Sequence, residues 1–342
     1  MGFGKLLEVP MKLLPYNSFI SFYPRMRKSK FADAADAVFY HKMLRSSLLI
    51  KDKETYLMRL RLNQKFMLIK RGLWGYKIAN FCFVKDMLAN IIWCVEQGYI
   101  PIIDIYPPKE GYYTVNTQPM WNLFYHQPLQ YEDTCKVTKA EICPIVTSGV
   151  HPRFSDARNP EKIKFWHDML ETFVVYNEST TAYFKDEYER LIKGKQVVAC
   201  VLRSTDYTKL RPTGHPIQPS IEEVFKKLHE VMDNYGIDYV YLATEDYHIA
   251  DAFKKEFPNR VIENKRHYYN EQYDNENLVM VSQVHFDREN DDYLKMLEYM
   301  SSINLVSKCD YLVTGLSGGS EMAIYRNGNQ YKYAYVFDKG LY

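Results

Sequence analysis

Hydrophobic positions change their spacing along this chain in a repeating order. Residues 31–63 carry Ala and Leu at helical intervals. Lys65-Phe-Met-Leu-Ile-Lys70 is then a short apolar run with charged ends, as a strand requires. Residues 77–97 return to helical spacing through Ile78, Phe81, Val84, Leu88, Ile91, Ile92 and Val95, and Gly98 is placed to stop that helix. Ile100-Pro-Ile-Ile-Asp-Ile105 reads as a second, buried strand. Strand, glycine turn, helix and strand in this order predict a βαβ unit, hence a parallel pair with a right-handed crossover. Residues 106–164 are Pro-rich and irregular and predict loops with short elements. Residues 160–193 look helical, with Gly194 to close them.

The second half repeats the rhythm more plainly. Gln196–Leu202 is a strand, and Ser220-Ile-Glu-Glu223 has the form of a capping box opening a helix to about residue 234. Asp238–Ala243 is a strand, 246–257 a helix, 263–291 a polar loop and 292–307 a helix. Tyr311–Thr314 is a strand, Ser317–Tyr325 a short helix and Tyr331–Phe337 a last strand. Two successive α/β halves predict two Rossmann-like domains facing a cleft.

Composition adds exclusions. With 25% charged and 46% hydrophobic residues in 342, the chain is neither disordered nor collagen-like nor a coiled coil. A net charge of +2 excludes nucleic acid as an electrostatic partner of the whole molecule. No apolar run is long enough for a spanning helix, and the first residues lack the pattern of a signal peptide. The cysteines at 82, 94, 135, 143, 200 and 309 form no C-x-x-C pair, and no Cys/His cluster has zinc spacing. That usage predicts buried thiols in a reducing, cytoplasmic setting. The charge is uneven, however: residues 1–71 hold 15 Lys and Arg against 5 Asp and Glu, a balance of +10. Within residues 1–30, Lys5, Lys12, Arg25, Arg27, Lys28 and Lys30 are interleaved with Leu6, Leu7, Met11, Leu13, Leu14, Phe19, Ile20 and Phe22. Such a segment suits an anionic membrane surface at the inner face or a helical arm packed on the protein; Pro10 and Pro15 argue against one long helix.

Ligands of open α/β sheets bind beyond the carboxyl ends of the strands. Four segments stand there: Gly72-Leu-Trp-Gly75, Arg203-Ser-Thr-Asp206, Thr244-Glu-Asp246 and Gly315-Leu-Ser-Gly-Gly-Ser320. Glycine turns at helix starts expose backbone N–H groups where the helix dipole favours an anion. Arg203 can bind phosphate oxygens bidentately, Ser317 and Ser320 can add hydroxyls, and Glu245 or Asp246 can accept from ribose or base. Each segment alone has a plain structural alternative: a surface ion pair, a turn, or a helix cap. Together they predict a diphosphate site. No segment fits G-x-G-x-x-G or G-x-x-x-x-G-K-[ST], which disfavours a dinucleotide oxidoreductase and a P-loop NTPase.

Leu202-Arg-Ser-Thr-Asp206 followed by His215-Pro216 resembles the R-x-T-D…H-P segment of the α1,6-fucosyltransferases. Val240-Tyr-Leu-Ala-Thr-Glu-Asp246 is similar to their V-Y-L-A-T-D-D strand, Ser307–Thr314 with Ser317 to their S-Q-A-D-F-L-V…S-S segment, and Gly72-Leu-Trp-Gly-Tyr76 to their glycine-rich turn. The resemblance covers residues 66–105 weakly and 196–326 well. It implies a GDP-fucose-dependent enzyme with a two-domain GT-B-like fold: a basic helical segment over 1–64, an acceptor-side α/β domain over 65–190 and a donor-binding α/β domain over 191–342. Arg203 would neutralise the departing GDP, with Gly72, Trp74, Gly75, His215, Glu245, Asp246, Ser317, Gly318 and Ser320 lining the donor site. Three positions depart from the family pattern: its second arginine is Ser204, a histidine before the arginine is Val201, and the glutamate proposed as base is Arg211. Asp104 and Asp206 are therefore the candidate bases. The implied reaction is inverting and metal-independent sugar transfer from GDP-fucose to a glycan or lipid-linked oligosaccharide; no D-x-D motif stands at a strand end, and Asp33, Asp36 and Asp251 fall in helical patterns. The alternatives are transfer of another activated sugar, or a degenerate protein that binds a nucleotide or glycan without turnover.

Overall fold

The computed structural model describes residues 53–70, 81–106, 119–131, 137, 139–143, 152–270, 276, 278 and 283–342, with single positions among 11–38. The Gly72–Gly75 turn and most of the basic segment 1–30 fall outside them. Two compact units result. The first comprises Met1–Gly75, Phe83–Ile105 and Gln127–His151, and the second Tyr76–Cys82, Tyr106–His126 and Pro152–Tyr342. The expected α/β class with parallel sheets is what both contain.

In the first unit, α1 (Lys53–Asn63) leads into β1 (Phe66–Ile69), α2 (Phe81–Glu96) and β2 (Ile100–Ile103), and β1 and β2 are parallel with Phe66 opposite Ile100. Gly98, at φ +82, turns the chain between α2 and β2. All four residues of β2 are buried, as the unbroken apolar run Ile-Pro-Ile-Ile requires. The Gln127 carboxamide continues the ladder past β2: its Oε1 accepts from Ile103 N at 2.9 Å, and its Nε2 donates to Ile103 O at 3.0 Å. A third strand, β3 (Ala140–Ile142), pairs parallel on the other side of β1. It lies in the stretch expected to be irregular; three exposed residues, Ala-Glu-Ile, offer no burial pattern to read.

The second unit is built on five parallel strands in the order β6-β5-β4-β7-β8. These are β4 (Val197–Val201), β5 (Tyr239–Ala243), β6 (Val261–Ile262), β7 (Tyr311–Thr314) and β8 (Tyr333–Val336). Val198, Cys200, Val240, Leu242 and Val313 meet Leu228, Val231, Phe253 and Phe257 from the covering helices in one apolar cluster. The region 160–193 is two helices rather than one, α3 (Pro160–Phe173) and α4 (Glu178–Leu191), each with an asparagine cap: Asn159 accepts from Glu161 N and Lys162 N, and Asn177 from Thr180 N. Both belong to the second unit, so the compact units do not divide near residue 190. Arg326 shows why. It lies over the Tyr176 ring at 4.6 Å, donates to Val174 O at 2.7 Å and pairs with Glu171 at 2.9 Å, binding the α3–α4 junction to the helix after β7.

Candidate functional site

Strand order in the second sheet reverses at β4. The chain goes from β4 to β5 and β6 on one side, then returns to β7 and β8 on the other. A crevice beyond the carboxyl ends of β4 and β7 is where an open α/β sheet binds its ligand. Val201 and Thr314 are register partners at those ends, so Arg203 and Gly315–Ser320 both leave the sheet at this switch point. Thr244-Glu-Asp246 leaves the adjoining β5 beside them.

Arg203 sits in a turn that Glu245 organises. Glu245 Oε1 accepts from Ser204 N at 3.1 Å and Thr205 Oγ1 at 2.9 Å, and lies 3.5 Å from Arg203 Nη1. Thr205 is held at φ +46 and ψ −119, a conformation that a β-branched residue adopts only when its surroundings impose it. The two oxygens of Asp246 are engaged by the protein. Oδ1 accepts from His248 N at 2.8 Å, capping the helix α7 (Tyr247–Glu256), and from Asn270 Nδ2 at 2.9 Å; Oδ2 accepts from the Ser204 hydroxyl. The acidic pair thus holds the arginine turn to the start of α7.

At the other lip stands α9 (Gly318–Asn327) with a closed capping box. Ser317 N donates to Ser320 Oγ at 2.8 Å, Ser320 N to Ser317 Oγ at 3.4 Å, and the Ser320 hydroxyl to Gly315 O at 2.8 Å. Both hydroxyls therefore shape the turn, and the free N–H groups of the first helical turn are left to meet an anion. Among the described residues, nothing lies within 4 Å of a Cβ built on Gly318, so none of them closes this side of the helix start. Gly315 is the reverse: a Cβ there would lie 2.4 Å from Gln218 Oε1 and 2.9 Å from Pro219 Cδ.

Three tyrosines that the sequence did not single out come under the influence of the Arg203 charge. Burial pushes the phenols of Tyr207, Tyr269 and Tyr299 above their ordinary value, Tyr269 to about 12, while the Arg203 charge opposes the rise in each. All three stay neutral hydrogen-bond donors at physiological pH. His215 Nδ1 lies 3.2 Å from the Tyr207 hydroxyl, and its carbonyl accepts from Tyr342 N at 3.0 Å, so the chain's last residues buttress the His215-Pro216 segment.

Asp104, at the end of β2 in the first unit, pairs with Lys70 Nζ at 3.2 Å. Asp206 opens the short helix α5 (Asp206–Leu210), but its side chain, like Gly72, Trp74 and Gly75, lies outside the described residues. Arg211 ends α5 in the left-handed conformation, φ +44. Among the described residues, His285, Asp291 and Asp292 place ligand atoms within 4.8 Å of one another. Lys295 Nζ lies 3.1 Å from each of the two carboxylates, where a cation would otherwise sit. No helix among the described residues is long and apolar enough to cross a membrane.

No protein-family model and no curated protein matches this chain. Among solved structures it is similar to the NodZ alpha-1,6-fucosyltransferase soaked with GDP-fucose, at 10% identity and a TM-score of 0.41, over 78% of this chain and 92% of that one. It is similar also to the fucosyltransferase NodZ from Bradyrhizobium, at 10% identity and a TM-score of 0.40, over 76% and 92%. POFUT1 in complex with GDP matches at 10% identity and a TM-score of 0.47, over 80% and 98%. Identity this low assigns no activity and no residue role to this chain.

Proposed function

We propose that this protein is a glycosyltransferase that binds a nucleoside diphosphate sugar beyond β4 and β7, with GDP-fucose as donor and a glycan or lipid-linked oligosaccharide as acceptor. One observation carries the reading: Arg203, fixed by Glu245, and the helix start at Gly318, which no described residue closes, leave neighbouring strands at the point where strand order reverses. A guanidinium and helix N–H groups at adjoining strand ends suit a leaving diphosphate, whose charge grows as the sugar C1–O bond breaks. They supply that stabilisation without a divalent ion. The choice of guanosine and fucose rests on the resemblance of residues 202–216, 240–246 and 307–317 to the α1,6-fucosyltransferases. In this scheme the acceptor attacks from the face opposite the leaving group, with inversion, and a carboxylate takes its proton. Asp104 and Asp206 are the candidates for that base. The basic segment 1–30 would hold the enzyme to an anionic membrane surface at the cytoplasmic face.

The test is isothermal titration of GDP, UDP, CMP and dTDP in EDTA, on wild type and Arg203→Ala. Selective GDP binding, weakened at least about tenfold in Arg203→Ala, is the expected result, since a charge-assisted pair contributes roughly 1.5–3 kcal/mol. Transfer or nucleotide binding unchanged by the substitution would refute the phosphate role of Arg203. Liposome co-sedimentation of the full chain, with the six basic residues of 1–30 replaced in a control, tests the membrane role.

A further inference from the structure

Tyr299 lies on α8 (Asp291–Lys308), the helix that precedes β7, and nothing in its sequence context marks it. Its ring packs on Phe81 at 5.2 Å between centroids. Its hydroxyl reaches the start of α9: a Cβ built on Gly319 would lie only 2.9 Å from that oxygen and 3.0 Å from Ile303 Cδ1. Gly319 is thus the one residue type that lets a phenol stand against the first turn of α9. The same hydroxyl feels the charges of Arg203 and Glu245 from the β4 and β5 ends. No hydrogen-bond partner for it lies among the described residues. Tyr299 is half-buried, so its hydroxyl is a donor that can be given to a bound ligand.

We infer that the Tyr299 hydroxyl, held against the first turn of α9, is a third donor to the diphosphate beside the Arg203 guanidinium and the N–H groups of α9. The inference rests on the diphosphate reading of this site. The geometry gives the hydroxyl a particular place. It belongs to the helix-start side of the crevice, where the terminal phosphate of a nucleoside diphosphate must sit if Arg203 takes its other oxygens. Tyr299 therefore discriminates a diphosphate from a monophosphate, and contributes little to recognition of the base or ribose.

The variant is Tyr299→Phe, which deletes one oxygen and keeps the ring against Phe81. Titration with GDP and with GMP is compared between wild type and variant, with a melting curve for each. The expected result is a loss of about tenfold or more in GDP affinity, as for a hydrogen bond to a charged acceptor, with GMP affinity unchanged. Gly319→Ala provides a second route, because its methyl displaces the hydroxyl without removing it; it should show the same selective loss. If wild type binds no GDP at all, the diphosphate reading itself falls. If wild type binds GDP and Tyr299→Phe binds it equally well, or loses GDP and GMP alike, the diphosphate reading stands and the role of Tyr299 is overturned.

Discussion

Glu96 closes α2 with its side chain turned into the first unit, and its Oε1 is buried with no hydrogen-bond partner among the described residues. The nearby Tyr56 phenol gives its hydrogen to Val95 O instead. Desolvation without compensation raises the Glu96 carboxyl from 4.5 to about 7. An acid whose folded value is raised costs stability as pH rises. Below the unfolded value both states are protonated and nothing is lost. As pH climbs from there toward 7, the unfolded chain ionises first, binds fewer protons than the folded one, and is favoured. The full cost is reached above the folded value. At 1.36 kcal/mol per unit, that shift amounts to about 3 kcal/mol. Glu96→Gln cannot ionise, so it escapes this cost while keeping shape and a buried polar group. Urea unfolding of wild type and variant between about pH 5 and about pH 8 should therefore diverge, with Glu96→Gln gaining on wild type by most of those 3 kcal/mol. Taking the difference cancels every other titrating group. Parallel pH profiles would refute the claim that Glu96 is buried and unpaired when charged.

Three further substitutions test the scaffold of the site. Asp246→Ala removes the α7 cap and leaves Ser204 and the buried Asn270 without an acceptor, so it should cost about 2–4 kcal/mol in thermal or urea unfolding, whereas Asp246→Asn should keep most of the cap. Gly319→Ala should cost about 1–3 kcal/mol of stability, since its methyl meets Tyr299 and Ile303 at or inside 3.0 Å; a melting temperature equal to wild type would mean that helix α8 gives way freely. Lys295→Met should destabilise by about 1–3 kcal/mol near neutral pH, because Asp291 is buried and its carboxyl, against its own desolvation, is held low by Phe286 N, Arg288 and Lys295. The penalty should shrink as pH falls through that lowered value, where the carboxylate protonates; a pH-independent penalty would contradict the ion pair.

The parts of this fold that could be read in the chain are those whose causes are local. Buried parallel strands announce themselves as apolar runs, and Ser220–Glu223 closes the reciprocal box its spacing promised, with Glu223 N donating to Ser220 Oγ at 3.3 Å and Ser220 N to Glu223 Oε2 at 3.0 Å. The break between α3 and α4 was also written locally, in Asn177, but a continuous helical spacing on both sides hid it; Tyr176 leaves the helix to bridge Tyr125, fifty-one residues earlier, and no periodicity carries that pairing. The site divides in the same way. Strand-end positions of Arg203, Glu245 and Ser317 follow from element order, so they were legible. What Glu245 does was not, because its partners Ser204 and Thr205 lie on another strand's turn and the positive φ of Thr205 runs against the preference of its type. Tyr299 is the furthest from sight. Its helix buries Met296, Leu297, Glu298, Met300, Ser301 and Ser302 in near succession, packed on several sides at once, so no face of it singles out Tyr299. Only the fold brings that hydroxyl to Gly319, and only a glycine in a turn twenty residues away admits it.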